Sequence, residues 1–540
     1  MKPLAAGHAL VLAAVTSITA CGGGGGGGGT TGTLLPPLDQ TYLTSGRAAA
    51  GDVFVHLFEW RWADIARECE DFLGPNGYAA VQISPPSEHA VILNASGSGV
   101  SYPWWQRYQT VSYTLDNSRS GTLAEFRAMV VRCAAQNVKI YADVVINHMT
   151  AGAGTGSAGH RYTKYQYDAV PWTPGNFHTG CAVTNYQDAA NVQLCELSGL
   201  ADLRTEDGAV RDRLADYLIA LQIAGVAGFR IDAAKHMQPR DINAILATVN
   251  AAASAAGRPL PYVFMEVINN PGEAVTAQQY FGVGYASGGA ADVTDFLYGY
   301  RIADAFLGRS GATLASLQTL TAGLLPSDKS VVFVDNHDTQ RGDNLYYASA
   351  NNLYELATIF MLAHPQGAPS VMSSYGFDRG TQAGRDAGPP SSAGGVTQST
   401  FDANGTRCTT TLGAAQVGSW ICEHRRDAIA AMVAFRKVTA GTALVNFQSI
   451  DGNSNRIAFA REGRGYVVLN LGAQFVYNAT DTTLPPGRYC NVAVDHYTAA
   501  STPGGQTSCT GATIDVAADG SAAIAVPAGG AVVLHVGAAL

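Results

Sequence analysis

The sequence predicts a (β/α)8 barrel that carries one inserted loop subdomain and is followed by an all-β module. Three observations predict it. From residue 53 short apolar runs alternate with amphipathic stretches, four of those runs end in clusters of polar side chains, and beyond residue 438 the pattern changes to short Val/Ile/Ala runs separated by Gly, Pro, Asn and Asp. Apolar runs at 53–58, 79–83, 139–146, 228–231, 262–265 and 331–334 read as parallel strands covered on both faces. Helical stretches fall between them at 123–136, 210–224, 241–256 and 353–362, which suits repeated βα units. Such a barrel takes about 250 residues or more, and 50–438 leaves room for insertions. Residues 149–201 have little apolar periodicity and are rich in Gly, Thr, Tyr and Asn, as expected of a subdomain on one βα loop. Residues 439–540 form the separate β-sandwich module.

The chain has 540 residues, enough for two to four domains at about 100 to 200 residues each. Only 14% of residues are charged and 61 are Gly, which argues against a coiled coil or ordinary disorder. There are 33 basic and 42 acidic residues, net −9, without a Lys/Arg cluster to track a phosphate backbone, so nucleic acid is not an expected partner. Residues 1–20 have the form of an export signal, with Lys2, an apolar stretch at 9–15 and small residues before Cys21. Ile18-Thr19-Ala20-Cys21 resembles a bacterial lipobox, and the glycines that open 21–49 make that segment a flexible tether. Lipidation of Cys21, with membrane contact through that lipid alone, and ordinary secretion both remain open. Without Cys21 the nine cysteines become eight, an even number suited to an oxidising compartment. Sequence neighbours pair as Cys69-Cys133, Cys181-Cys195, Cys408-Cys422 and Cys490-Cys509, although eight cysteines allow about 105 connectivities.

The polar clusters are Asp143-Val-Val-Ile-Asn147-His148, Gly228-Phe-Arg230-Ile-Asp232-Ala-Ala-Lys235-His236, Phe264-Met-Glu266-Val and Phe333-Val-Asp335-Asn336-His337-Asp338. A parallel barrel presents its active site at the carboxyl ends of its strands, where these residues fall. In the second cluster Phe229 and Ile231 alternate with Arg230 and Asp232, so guanidinium and carboxylate share one face, and Arg230 is expected to keep Asp232 ionised. An ionised carboxylate beside a cation suits a glycosidic nucleophile, and Glu266, after the next apolar strand, fits the partner carboxyl that protonates the leaving oxygen.

With these motifs in this order, the chain resembles the α-amylase superfamily of glycoside hydrolases, most of all animal-type α-amylases and their bacterial relatives. The likeness runs from about residue 53 to 438 and includes His56-Leu-Phe-Glu-Trp60, Ser84-Pro-Pro-Ser-Glu88, Trp104-Trp-Gln-Arg-Tyr-Gln109 and Met372-Ser-Ser-Tyr375. The resemblance implies Asp232 as nucleophile, Glu266 as general acid/base and Asp338 as a third, transition-state-stabilising carboxylate. It implies sugar-side contacts from His148, Arg230 and His337, a leaving-side contact from Lys235 and His236, and an aromatic platform of Trp104, Trp105, Tyr108 and Gln109. It implies calcium on Asn147, the carbonyls of Gln193 and His236, and Asp202, an all-oxygen set suited to a hard cation, although an Asp at position 202 is alternatively a helix cap.

The chain departs from the animal pattern twice. Asp338 is followed by Thr-Gln-Arg-Gly-Asp-Asn-Leu-Tyr-Tyr and not by a glycine-rich loop. Of the family's three chloride positions, Arg230 and Asn336 are filled, but the third is Ser370, so chloride dependence is expected to be weak or absent unless Arg379 or Arg385 folds back into the place. The expectation is an exported, monomeric, calcium-containing, retaining endo-hydrolase of starch, glycogen and malto-oligosaccharides. The rivals are a transglycosylating or maltogenic relative on the same barrel and a non-catalytic starch-capturing surface lipoprotein.

Overall fold

The computed structural model describes residues 51–268, 270–280, 291–409, 417–498 and 507–540. The export signal, Cys21 and the glycine tether lie outside the described residues. Eight parallel strands close a barrel: β1 Phe54–Leu57, β2 Ala80–Ile83, β3 Lys139–Val144, β4 Gly228–Ile231, β5 Tyr262–Met265, β6 Ala291–Thr294, β7 Ser330–Val332 and β8 Ala368–Ser373, with β8 pairing back onto β1. Six coincide with the apolar runs. The sequence pattern did not announce β6 and β8, because Asp292 interrupts one and Pro369 and Ser370 interrupt the other.

Helices α1 Trp62–Glu68, α2 Leu123–Ala135, α3 Gly208–Ile223, α4 Pro239–Ala255, α5 Phe296–Leu307, α6 Leu353–Ala363 and α7 Asp427–Val438 accompany the strands. Their starts are written locally. Thr122 and Glu125 form a reciprocal capping box on α2, and the Asp207 carboxylate accepts the Ala209 N–H at 2.9 Å to cap α3. Gly308, at φ 67°, ends α5 in the left-handed conformation that glycine adopts without a Cβ clash. All four neighbour-paired disulfides form, and Cys69–Cys133 ties the residue after α1 to α2.

The insertion holds a three-stranded antiparallel sheet (Ala153–Thr155, Arg161–Thr163, Gln166–Tyr167) and the short helix Ala189–Leu194. Past α7, strands β9 Leu444–Ile450, β10 Asn453–Arg461 and β11 Gly465–Asn470 are joined by the last strand of the chain, β16 Gly530–His535, in one antiparallel sheet. Between β11 and β16 come β12 Phe475–Ala479, β13 Gly487–Cys490, β14 Thr513–Val516 and β15 Ala522–Val526. The four-stranded sheet is apolar on both faces. Phe459, Val467, Leu469 and Val533 join the core that runs through the barrel, whereas Ala458, Ala460, Tyr466, Val468, Val532 and Leu534 build the module's own core, as the two-residue period of a strand requires. Arg461, on β10, is buried and donates to the carbonyls of Ala363, at the end of α6, and Thr439 at 2.8 Å each.

Candidate active site

The barrel interior is built in layers, because alternate residues of each strand point inward. At the amino ends of the strands Phe54, Tyr141, Tyr262, Phe264 and Val331 pack into an apolar plug. Gly228 on β4 lets neighbouring chains close over it, since a Cβ there would lie 2.5 Å from the Tyr262 carbonyl oxygen. Two residues on, still facing inward, stands Arg230.

Arg230 is the hub. Its guanidinium reaches both oxygens of Asp143 at 2.7 and 2.8 Å, Asp232 at 2.9 Å and Glu266 at 3.1 Å. Asp143 is on β3 directly opposite Arg230 in register, and Asp232 and Glu266 follow the ends of β4 and β5. Ala233, held at φ 50° and ψ 30°, aims its N–H at Glu266 Oε2 at 2.8 Å, so an unfavourable backbone conformation is spent on orienting that carboxylate. Asp338 follows β7, and His337 Nε2 lies 3.3 Å from its Oδ2. The three predicted carboxylates therefore converge, with Asp143 beneath them.

As expected, Arg230 draws the Asp232 carboxyl downward, through its charge and its hydrogen bond, but two other influences oppose it. Burial, reinforced by the nearby Glu266 charge, pushes the Asp232 carboxyl well above the ordinary range, against the pull of Arg230. The pull of Arg230 is limited because its one guanidinium is divided among three carboxylates and lies closest to Asp143. Asp338 is pushed up to about 7, first by burial and then by Glu266. Protons here belong to the cluster and not to single residues.

The His337 ring is sandwiched between Tyr108 and Phe58, each with centroids 5.0 Å away, and burial holds it neutral. Tyr108 also donates to Asp143 at 3.0 Å. His148 contacts the Tyr108 carbonyl through Nε2 at 3.0 Å, and burial lowers its pKa to about 4. Trp104 is 8% exposed, with its indole N–H on the Arg385 carbonyl, so it forms a wall of the site more than an open platform; Trp105 and Gln109 are half-buried beside it. Lys235 is held by the Ile268 carbonyl at 2.7 Å, by Glu273 and over the Tyr186 ring, and the His236 ring meets the Val192 carbonyl at 2.9 Å.

The predicted calcium donors fall into two pairs. Asp202 and His148 are bridged in an antiparallel pair, and Leu203 N–H donates to the Asn147 carbonyl, which brings Asn147 and Asp202 together. The His236 ring against Val192 likewise brings His236 to Gln193. Asp202 is 1% exposed, its carboxyl is pushed up to about 7 by burial, and His178 Nδ1 holds one oxygen at 2.7 Å. It caps no helix, Asp207 being the cap of α3. Buried oxygen donors of this kind fit a hard cation.

A pocket inside the barrel is lined by Arg230, Asn336, Ser370, His56 and Gln82. Arg379 and Arg385 do not fold back into it. Arg379 donates to the Asn344 carbonyl at 3.2 Å and lies over Tyr346, and Arg385 donates to the Arg379 carbonyl at 2.7 Å.

Sequence reasoning left Asp143, His178, Glu273 and Arg341 without roles. For Asp143 the signal was present, since it sits two residues from Tyr141 on an inward-facing alternation. The other three come from loops, where no period marks which side chains turn inward.

A closed parallel barrel with carboxylates gathered around one arginine at its strand ends defines a glycoside hydrolase. Residues 101–256 match the alpha amylase catalytic domain, and residues 448–537 match the alpha amylase C-terminal all-beta domain. The chain is 44% identical to an alpha-amylase of Thermomonospora curvata (90% of this chain, 73% of the relative) and 42% identical to one of Tribolium castaneum (91% and 96%). It is also 40% identical to pancreatic alpha-amylase 2a5 of Mus musculus (89% and 92%). The crystal structure of alpha-amylase I from Eisenia fetida superposes with a TM-score of 0.79 at 38% identity, covering 92% of this chain and 99% of that one. A cyclomaltodextrin glucanotransferase at 16% identity and TM-score 0.61 shares the fold alone. The chain belongs to the alpha-amylase family and is an alpha-amylase in its activity.

Proposed function

We propose that the chain is an exported, retaining, endo-acting α-1,4-glucan hydrolase that cuts starch, glycogen and malto-oligosaccharides by double displacement. The observation that carries this reading is the sharing of Arg230 among Asp143, Asp232 and Glu266 beside Asp338. Asp232 attacks C1 while Glu266 gives its proton to the leaving oxygen, and the bond from C1 to that oxygen breaks. Glu266, now ionised, takes a proton from water as that water attacks C1 and releases Asp232. Asp338 balances the positive charge that builds on the ring, from its position beside His337. His148 and His337 hold hydroxyls of the sugar being cleaved, Trp104, Trp105, Tyr108 and Gln109 face it, and Lys235 and His236 serve the leaving side.

Alpha-amylases generally bind calcium. In this chain Asn147, Asp202 and the carbonyls of Gln193 and His236 would hold it, tying the insertion to the barrel beside the catalytic carboxylates. With Ser370 in place of a second cation, Arg230 and Asn336 make at most a weak chloride site. Four disulfides support export, and among the described residues no helix is long and apolar enough to cross a membrane. Lipidation of Cys21 would add an anchor through the tether.

The test is the anomeric form and size distribution of early products from soluble starch. NMR should register α-anomers first, and chain length should fall before small sugars accumulate. Initial β-anomers would overturn the retaining mechanism. Elongated or cyclic products would replace it with transglycosylation, and the absence of any product would favour starch capture.

A further inference from the structure

Asp338 lies in a tight turn, 337–341, that leads into the stretch Thr339 to Tyr347 standing where animal-type relatives have a glycine-rich loop, and Arg341 closes that turn from both ends. Its backbone N–H donates to the Asp338 carbonyl at 3.0 Å. Its guanidinium doubles back to the His337 carbonyl, while Nη2 donates to Tyr375 Oη at 2.8 Å and Nε to the Arg385 carbonyl at 3.0 Å. The same Arg385 carbonyl accepts the Trp104 indole N–H, also at 3.0 Å. The guanidinium plane lies 4.5 Å from the Trp104 and Phe377 ring centroids, and the side chain is buried.

We propose that Arg341 is a positioning residue for hydrolysis, fixing the His337–Asp338 turn and the Trp104 wall as one rigid unit so that Asp338 meets the sugar in a single orientation. This rests on the proposed role of Asp338. A forked, planar cation is needed because three acceptors lie in different directions between ring faces, and a lysine offers one point charge on a flexible stem. Misplacement of a catalytic group by about 1 Å costs about a hundredfold in rate.

Arg341 also acts on Asp338 through charge. Asp338 is faced by Glu266 and Asp143, which raise its pKa, by Arg230 and Arg341, which lower it, by His337 at its side, and by Tyr108 and Tyr300. Removing the positive charge of Arg341 should therefore raise that pKa further.

The test uses R341M, R341K and D338N, each measured for kcat, KM, pH profile and thermal melting. R341M should lose about ten- to a hundredfold in kcat with KM nearly unchanged, and its acid limb of kcat/KM should move to higher pH. R341K should keep the wild-type limb, because the charge remains, yet recover only part of kcat. Wild-type kcat and an unmoved limb in folded R341M would overturn the proposal while leaving Asp338 its role. If R341M fails to fold, R341K decides alone: wild-type kcat overturns the proposal, and reduced kcat with an unmoved limb supports it. Near-normal turnover in D338N would instead remove the role of Asp338 itself.

Discussion

The two ends of the barrel use the same eight strands for opposite purposes. At the amino ends, Phe54, Tyr141, Tyr262 and Phe264 fill the interior with ring edges and faces, Phe54 lying 5.5 Å from Phe264 and 5.6 Å from Tyr141 between centroids. At the carboxyl ends, the next inward layers hold His56, Gln82, Asp143, Arg230 and Glu266. The plug gains free energy from burial and close packing. The charged end buries acids whose carboxyl groups are pushed upward, an arrangement that costs stability and is held in place by the rest of the fold. The difference teaches that stability and chemistry are separated along the barrel axis, within single strands such as β3, where Tyr141 and Asp143 are two residues apart.

The separation breaks if a change at one end produces the effect assigned to the other. The largest expected effect is at the charged end: Asp232→Asn and Glu266→Gln should each lower the rate on soluble starch by about four orders of magnitude or more, with melting temperature within a few degrees of wild type. Near-normal turnover in either variant would sink the carboxylate assignment. Next is the plug, where Phe54→Ala should cost about 3–5 kcal/mol in denaturant unfolding while the remaining folded enzyme keeps its kcat at 25 °C. Calcium would sharpen the comparison, because the residues proposed to hold it sit at the charged end. A strong chelator should lower melting temperature and activity together, by about 2.7 kcal/mol of stability if calcium had stood at 100 times its Kd, and Asp202→Ala should mimic the loss. No thermal shift under chelation would count against the site. The smallest effect is that of chloride. Adding it to chloride-free acetate buffer should change the rate less than about twofold, since Ser370 supplies no charge to the pocket; activation of about tenfold would refute that reading.

The legibility of the fold divides along the same line. Strands β1 to β5 and β7 were readable because their outward and inward residues are both apolar over most of their length. β6 was not, because only Val293 of its four residues is a large apolar side chain, while its buried Asp292 is accommodated by the Tyr262 hydroxyl at 2.8 Å, a partner far away in sequence. In the site, Asp232, Glu266 and Asp338 announced themselves as carboxylates at strand ends, in motif order. Their protonation did not. Sequence places Arg230 beside Asp232, but only the fold reveals that Asp143 takes the larger share of that cation and that burial outweighs the remainder. The roles of Arg341 and His178 depend on how loops turn back, which no periodicity encodes.

The sheet of β9, β10, β11 and β16 is apolar on both faces, and Arg461 reaches from it to the end of α6. A module joined this way is not a passenger that can be cut off at a linker. Ending the chain after α7 would strip Phe459, Val467 and Leu469 from the barrel's core and leave the Ala363 carbonyl without its buried donor, so the catalytic unit would be born incomplete. The expected consequence for synthesis is that the barrel, although first off the ribosome, reaches its full stability only when β16, late in the chain, closes the sheet against it. In that interval the apolar surface of the unfinished core is exposed, which is when aggregation is favoured.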